Sequence, residues 1–378
     1  MKKIGLLIDT LIGGGAERIV LNFAETFSDL GHEVHIILLK NVIEHEIDLN
    51  FYTVHYLSED GVLAKNKWLN KIRMAKKLQQ KVLKLESDNQ KFDLFISNSE
   101  DMDLVGRKAK LDNFCIRYRN SMYEYYYSKF KDFTGFKRFR RQVKYKWQFK
   151  NRYNNQNIVT VSKALIEDIT HKMGVKPRVI KNIYNPFDFD KIRQKGSLIN
   201  KKIPNDKYIV YVAKFENRKN QILLLEAYKK SNIKLPLVLI GDVHTDSDRQ
   251  YLSSIKEKIK ELNIESQVLF PGFQVNPYPW IKNAELFAMS SNSEGLPLVL
   301  VESFILGTKV VSTDCPTGPN ELLIGEFSQF LSPVGDIEKL ANNITKALRD
   351  YPEMPTAFLD KFKSKYSVKQ YLDLIKKF

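Results

Sequence analysis

The sequence predicts an α/β protein with two doubly wound, parallel-stranded domains. Its 378 residues exceed the roughly 250 to 300 at which a single hydrophobic core stops growing, so we expect two domains. Short apolar runs alternate with helical patterns in the first half, and the alternation restarts after a polar segment at 182–207. Strands that are separated by helices form parallel sheets covered on both faces.

In the first half, an apolar strand at 3–9 leads into a helix at 16–31, in which Ile19 and Phe23 share one apolar face. The other strands predicted for this half lie at residues 33–39, 93–98, 113–119 and 157–162. A helix is expected from Ala164. The second half predicts strands at 208–213, 235–242, 267–270, 286–291 and 309–314, with helices at 220–230, 252–262 and 297–307.

The polar segment contains Pro186, Gly196 and Pro204 without a clear periodicity, which is typical of a linker. We expect the chain to divide into a domain at 1–188, a linker at 189–206, a domain at 207–356 and a helical segment at 357–378 that could pack back on the first domain. Ligands of doubly wound sheets bind beyond the carboxyl ends of the strands, so a cleft between the domains is the expected site.

The net charge of +16 indicates an acidic partner, such as nucleic acid, anionic lipid or a phosphorylated ligand. Basic residues are densest at 117–152, where they alternate with Tyr, Phe and Trp. This composition suits a membrane interface. It also suits stacking on nucleobases, or a solvated helix with an aromatic stripe facing the core.

Several classes of protein and site are disfavoured. No apolar run approaches the roughly 20 residues that span a bilayer, and no signal peptide is recognisable, which favours a cytoplasmic protein, soluble or peripheral. Cys115 and Cys315 lie far apart and are expected to be ordinary buried thiols. Because no H-E-x-x-H or similar pattern is present, we expect no metal and no other cofactor.

Three loops that follow strands carry candidate site residues. Gly13, Gly14 and Gly15 precede the first helix, and their spacing does not match a dinucleotide fingerprint, so they form either a bare turn or a ligand-facing loop. The segment "VAKFENRKN" at 212–220 places Lys214, Arg218 and Lys219 before a helix. Such cations suit a diphosphate, although loop cations are often only solvated.

The third loop, in "SNSEGLPLVLVES" at 291–303, places Glu294 at the mouth of an apolar helix and Glu302 inside it. Pro297 suits the first turn of that helix. A buried acid needs a partner, and Glu302 has two candidates: the hydroxyls of a ribose or a structural Lys or Arg. In "STDCPTGPNELL" at 312–323, Glu321 sits in the first turn of a further helix, where it could simply complement the helix dipole.

These motifs together resemble family 4 of the retaining glycosyltransferases, which have the GT-B fold of two Rossmann-like domains facing a cleft. Glu294, seven intervening residues and Glu302 are similar to the signature of that family. The glycine loop, "VTVSKALIEDI", "IYNPFD" and the loops quoted above follow in the family's order across nearly the whole chain.

The resemblance implies a role for each matching residue. Glu302 would bind the ribose, Glu294 the transferred sugar, and Lys219 with Lys214 the donor diphosphate. The family usually has an Arg at the position of Lys214, so a point charge replaces a guanidinium fork here. Other residues implied on the donor side are Arg218, Gly272, Gly295, Leu296 and Pro297; those implied on the acceptor or sugar side are Gly14, Gly15 and Arg119.

Many members also have a His near the sugar, and this chain has "RYRNS" at the comparable stretch, where neither Arg119 nor Asn120 can act as a base. The resemblance implies metal-independent transfer with retention of configuration, from a nucleotide sugar that we expect to be UDP-linked. The expected acceptor is a glycan or polyprenyl-diphosphate-linked saccharide of a bacterial surface polysaccharide.

The segment 117–152 would then dock the protein on the inner face of the cell membrane. Two alternatives stay open: a sugar-nucleotide epimerase on the same fold, and a basic protein that binds nucleic acid.

Overall fold

The computed structural model describes residues 1–59, 67–86, 90–130, 133–353 and 356–377, which fold into two compact units. The first unit comprises residues 1–187 and 361–378, and the second comprises residues 188–360. Each unit has its own parallel sheet with helices, so the prediction of two doubly wound α/β domains is confirmed.

The first unit is built on a seven-stranded sheet with the order β3-β2-β1-β4-β5-β6-β7. Its strands are β1 (Lys3–Ile8), β2 (Glu33–Leu38), β3 (Thr53–Tyr56), β4 (Leu94–Ser97), β5 (Phe114–Tyr118), β6 (Asn157–Thr160) and β7 (Val179–Asn182). The chain winds outward from β1 to β3 and then resumes at β4 on the other side of β1. The direction of winding therefore reverses between β1 and β4, and ligands bind at the carboxyl ends of strands beside such a switch point.

Helices cover this sheet. They are α1 (Gly15–Asp29), α2 (Lys67–Leu85), α3 (Glu100–Lys108), α4 (Met122–Lys129), α5 (Gly135–Tyr153) and α6 (Ala164–Glu167), which continues into a π-helical turn at Asp168–Lys172. The apolar face expected for α1 is buried at Ile19, Phe23 and Phe27, since residues three and four apart share one side of a helix.

The second unit has a six-stranded sheet with the order β10-β9-β8-β11-β12-β13, so its switch point lies between β8 and β11. Its strands are β8 (Ile209–Val212), β9 (Leu237–Ile240), β10 (Val268–Gly272), β11 (Leu286–Met289), β12 (Lys309–Thr313) and β13 (Leu331–Ser332). Its helices are α7 (Phe189–Gly196), α8 (Gln221–Ser231), α9 (Asp246–Glu261), α10 (Tyr278–Asn283), α11 (Leu298–Ile305), α12 (Pro319–Leu322) and α13 (Ile337–Arg349).

The expected linker at 189–206 differs from the structure, because it begins with α7, which belongs to the second unit. Asp188 caps this helix by accepting a hydrogen bond from the Lys191 N–H at 3.0 Å, and α7 buries Phe189 and Ile192. The sequence signal is weak because the helix is short and most of its other positions are polar.

The last segment returns to the first unit. Backbone hydrogen bonds join Phe187 to Phe362 at 2.9 Å and Ser364 to Phe187 at 3.0 Å, and α14 (Ser364–Leu374) follows. Tyr371 of α14 is fully buried, with its ring edge-on to Phe23 of α1 at 5.1 Å.

Candidate functional site

The switch point of the second unit brings two loops together, one after β8 and one after β11. The Asn292 N–H donates to the Arg218 carbonyl at 2.8 Å, and the Asn220 amide donates to the Asn292 side-chain oxygen at 3.0 Å. The Ser290 hydroxyl donates to the Asn220 carbonyl at 2.8 Å. Backbone and side chains therefore hold the loop 213–220 and the loop 290–297 in one arrangement.

Asn220 makes the turn from the first of these loops into α8. Its φ of 47° lies in the left-handed region, which Asn tolerates better than most residues. Its side-chain oxygen accepts the N–H of Leu223 at 3.4 Å and so caps α8.

Glu294 is the centre of the charge cluster at this switch point. Its two oxygens face different cations: Lys219 Nζ lies 2.6 Å from Oε1, and Arg218 Nη1 lies 3.3 Å from Oε2. Arg218 also donates to the Ser293 carbonyl at 2.8 Å and to Glu216 at 2.7 Å. The predicted residues Glu294, Lys219 and Arg218 therefore form one ion-paired group.

The Glu294 side chain is only 7% exposed, and burial by itself raises the pKa of a carboxyl group. The charges of Lys219 and Arg218 outweigh burial and hold the pKa of Glu294 below its ordinary value. Glu294 is consequently a carboxylate at neutral pH, an acceptor of hydrogen bonds whose position is set by two cations.

A third loop, which follows β12, supports the Glu294 loop. The Thr313 hydroxyl donates to the Ser291 carbonyl at 2.6 Å, and the Thr317 hydroxyl donates to the Glu294 carbonyl. Gly318 has a φ of 100°, and a Cβ atom there would lie 2.6 Å from Pro297 Cδ and 2.8 Å from the Gly295 carbonyl. Gly318 therefore allows the backbone of residues 295–297, which includes the predicted Leu296, to pack closely against it.

Glu302 lies in the second turn of α11 and is 1% exposed. The hydroxyl of Tyr278, on the neighbouring helix α10, donates to Glu302 Oε1 at 3.2 Å. Glu302 therefore lies inside an apolar helix, as the sequence predicts. The motif did not indicate Tyr278 as its partner.

Two other predicted donor-side residues lie outside the charge cluster. Lys214 is exposed on the loop after β8, and its carbonyl accepts the Gln221 side-chain amide at 2.9 Å. Gly272 is also exposed and ends β10, the edge strand, with β9 between it and β8. Lys214 thus shares a loop with Lys219, whereas Gly272 belongs to the far edge of the same sheet.

The first unit has its own group of polar residues at its switch point. Gly14 precedes α1 in an extended conformation that any residue adopts, and Gly15 begins the helix. Arg119 follows β5 and is half-buried. Asp9 follows β1, and the hydroxyl of Ser99, which follows β4, donates to it at 2.6 Å. The motifs did not identify Asp9 or Ser99, although Asp9 directly follows the first apolar run.

The basic, aromatic segment at 117–152 begins at the end of β5 and contains α4 and most of α5, and α5 has two different faces. Its charged residues are all Lys or Arg, and Phe149 and Tyr153 are buried against the unit. Phe136, Phe139, Val143 and Trp147 are exposed by 74, 61, 51 and 63%. Their spacing of three, four and four residues aligns them on one side of the helix. The face opposite the core is therefore an exposed apolar stripe flanked by cations.

Neither a metal site nor a membrane span is found in the described part of the chain. Among those residues, no group of three or more His, Cys, Asp or Glu side chains could hold a metal ion. Likewise, no helix within the described ranges is long and apolar enough to span a bilayer. Cys115 and Cys315 are free and buried, as expected.

Two family models match consecutive parts of this chain. Residues 13–191 match Glycosyltransferase Family 4, and residues 192–363 match Glycosyl transferases group 1. The matches support neither the epimerase nor the nucleic-acid alternative.

Curated relatives agree with these matches. The chain is 28% identical over 374 residues to N-acetylgalactosamine-N,N'-diacetylbacillosaminyl-diphospho-undecaprenol 4-alpha-N-acetylgalactosaminyltransferase of Campylobacter jejuni, covering 97% of this chain and 95% of the relative. It is 26% identical to lipopolysaccharide 1,6-galactosyltransferase of Escherichia coli, covering 51% of this chain and 54% of that one.

Among solved structures, Anabaena HepE in complex with UDP and glucose superposes with a TM-score of 0.76 at 18% identity, and the match covers 100% of both chains. At this identity the likeness establishes the fold, and the predicted GT-B architecture of two Rossmann-like domains is confirmed. Because the two matched models together extend over nearly all of the sequence, the chain belongs to the family 4 glycosyltransferases.

Proposed function

We propose that this glycosyltransferase moves a sugar, a hexose or N-acetylhexosamine, from a UDP-linked donor to a lipid-linked saccharide, with retention of configuration. The observation that carries the proposal is the Glu294 cluster, where an ionised acid and two cations meet at the switch point of the second unit. The Campylobacter relative is named for an acceptor on diphospho-undecaprenol, and the HepE structure contains UDP and glucose. The first name supports a lipid-linked acceptor, and the second supports a UDP-linked donor.

In this proposal the charge cluster, together with Glu302 and Lys214, binds the donor from both ends. Glu302 accepts hydrogen bonds from the ribose, while Lys219, Lys214 and Arg218 face the diphosphate. The N–H groups of Leu296 and Leu298 and the start of α11 add further donors beside Pro297 and Gly295. Glu294 accepts hydrogen bonds from hydroxyls of the transferred sugar, and Gly272 lies on the donor side.

The chemical step needs stabilisation of the negative charge that develops on the departing diphosphate. The bond between the anomeric carbon and the diphosphate oxygen breaks, and the acceptor oxygen attacks from the same face. The acceptor proton passes to the departing diphosphate, so the protein supplies no base. Lys214 and Lys219 neutralise the leaving charge in a site built before the reaction, which lowers the barrier without a metal ion.

Thermal-shift screening against a panel of sugar nucleotides, followed by assays of diphosphate release and by NMR of the product anomer, tests this proposal. We expect one UDP-sugar to stabilise the protein. Glu302→Ala should weaken its binding roughly 10- to 100-fold, because hydrogen bonds to a charged group contribute about 1.5–3 kcal/mol.

Glu257→Ala, an exposed acid on α9, is the matched control and should bind the donor as wild type does. Unchanged turnover by a folded Glu302→Ala variant would contradict the proposed role of Glu302 in binding the donor. Isomerisation of the sugar nucleotide without diphosphate release would instead favour the epimerase, and an inverted product would contradict retention.

We also propose that α5 docks the protein on the inner face of the cell membrane, where a lipid-linked acceptor is found. Trp147 and Phe139 would sit at headgroup depth while the flanking cations meet anionic lipid, at about 1 kcal/mol per charge. Liposome flotation should show binding to vesicles that contain an anionic lipid and little binding to zwitterionic vesicles.

A variant with Lys137, Arg140, Arg141 and Lys144 changed to Gln should lose this binding. The control removes the same charge from exposed positions of the second unit, with Lys229, Lys234, Lys256 and Lys260 changed to Gln. Equal flotation of both variants would contradict membrane docking by α5. Salt-sensitive binding of an oligonucleotide by α5, in place of vesicles, would identify nucleic acid as the partner.

A further inference from the structure

Asp9 occupies the switch point of the first unit, and the donor site described above does not use it. It follows β1 directly, and Ser99 follows β4, the strand at which the winding reverses. The hydrogen bond of 2.6 Å from the Ser99 hydroxyl to Asp9 Oδ1 therefore crosses the switch point at the carboxyl ends of the two strands. This is the position at which doubly wound sheets bind their ligands.

The carboxylate of Asp9 is held at one oxygen and open at the other. Ser99 caps α3, where its side chain accepts the Met102 N–H at 3.4 Å, and this contact fixes the hydroxyl that donates to Asp9. Oδ2 accepts no hydrogen bond from any residue in the described ranges. A carboxylate oxygen accepts but does not donate, so the ligand that suits Oδ2 is a donor such as a hydroxyl group.

The surroundings make ionised Asp9 unfavourable for folding. Burial raises its pKa to about 6, and Asp101 adds to this effect. The Ser99 hydroxyl and the charges of Arg119 and Lys40 act in the opposite direction without cancelling it. An acid at a switch point whose pKa is raised by burial, and which lies within reach of the charge of Arg119, fits a binding role better than a structural one.

We propose that Asp9 binds a hydroxyl of the acceptor saccharide through Oδ2, with Ser99 holding the carboxylate in position. This inference rests on the proposed function, because it takes the acceptor to be a saccharide. Asp9 accepts its hydrogen bond from an acceptor hydroxyl that does not itself attack, and this contact orients the acceptor saccharide on the first unit. The proton of the attacking hydroxyl leaves with the diphosphate, so Asp9 is unchanged after the reaction.

The test compares Asp9→Asn with wild type in two measurements. Transfer is assayed on a prenyl-diphosphate-linked N-acetylhexosamine, and donor affinity is measured by calorimetry with the UDP-sugar. We expect Asp9→Asn to lower kcat/KM for the acceptor roughly 10- to 100-fold, the range for a hydrogen bond to a charged group. The donor Kd should stay within about twofold, since the donor contacts proposed above do not include Asp9.

A dependence on pH separates binding from a merely structural role. Wild-type kcat/KM for the acceptor should fall below about pH 6, as Asp9 becomes protonated, and this fall should be absent in Asp9→Asn. Ser99→Ala should give a smaller loss of roughly three- to tenfold, because the carboxylate of Asp9 remains and loses the hydroxyl that positions it. Asp112→Asn, an exposed acid that precedes β5, is the control and should match wild type.

The outcomes distinguish the two proposals. If wild type transfers sugar and Asp9→Asn keeps the acceptor kcat/KM, or if it weakens the donor as much as the acceptor, the role of Asp9 is wrong and the proposed function stands. If wild type binds no sugar nucleotide, the proposed function fails, and the role of Asp9 fails with it.

Discussion

The two units each hold a carboxylate at their switch point, and the two acids have opposite properties. Burial acts to raise the pKa in both cases. Glu294, in the second unit, nevertheless has a lowered pKa, because Lys219 and Arg218 contact its oxygens. Asp9, in the first unit, has a hydrogen bond from the neutral Ser99 and a pKa of about 6.

The difference shows that the type of partner, more than the extent of burial, decides in which direction the pKa of such an acid shifts. A hydroxyl donor stabilises a carboxylate by less than burial destabilises it, whereas two contacting cations reverse the balance. Glu294 is therefore ionised and held at both oxygens before any ligand arrives. Asp9 keeps one oxygen open for a ligand, and its ionised form destabilises the folded state.

The largest loss of stability is expected when the cation nearest to Glu294, at the switch point of the second unit, is removed. Lys219→Ala leaves Glu294 buried with the longer contact to Arg218, and breaking a buried ion pair from one side costs about 3 kcal/mol or more. We expect a lower urea midpoint, followed through the fluorescence of Trp280, which is buried in this unit.

Neutralising the acid as well should restore most of this loss, so the double variant Lys219→Ala with Glu294→Gln should be more stable than Lys219→Ala alone. Lys214→Ala serves as the control, because Lys214 is exposed on the same loop. A double variant no more stable than the single one would show that the loss comes from packing, and the charge comparison would fail.

At the switch point of the first unit, replacing the acid should raise the free energy of unfolding, and by a smaller amount. Because the pKa of Asp9 is raised in the folded state from 3.8 to about 6, folding favours the protonated form. Below the pKa of the unfolded state, Asp9 is protonated in both states and no stability is lost. Above the pKa of the folded state, Asp9 is ionised in both states and the loss is complete, so the loss develops between about pH 4 and 6. Asp9→Asn should therefore be more stable than wild type at about pH 8, by at most about 3 kcal/mol.

Denaturant unfolding at both ends of this window checks the sign. Wild type and Asp9→Asn should be close in stability near pH 4 and separate as the pH rises, while Asp112→Asn should follow wild type throughout. Asp9→Asn that is less stable than wild type at high pH would mean that Asp9 is a structural anion, and the contrast with Glu294 would be lost.

Most of the fold could be predicted from strong local patterns in the sequence. The largely apolar runs of β1, β2, β8 and β11 are buried strands, and α1 buries the expected face. The sequence did not indicate β3, β7 and β13. The first two are edge strands with largely half-buried residues, and β13 has two residues, so their apolar signal is weak.

For the candidate site, local sequence pattern predicts which residue types lie at the carboxyl ends of the strands, because a chain that alternates strand and helix must return each loop to the same edge of its sheet. It therefore predicts Lys219, Glu294 and Glu302 as candidate site residues. The pattern does not show that Lys219 and Arg218 pair with Glu294, that Tyr278 donates to Glu302, or that Ser99 donates to Asp9. These contacts join residues far apart in the chain. The order of strands in the sheet brings them together, and local pattern does not encode that order.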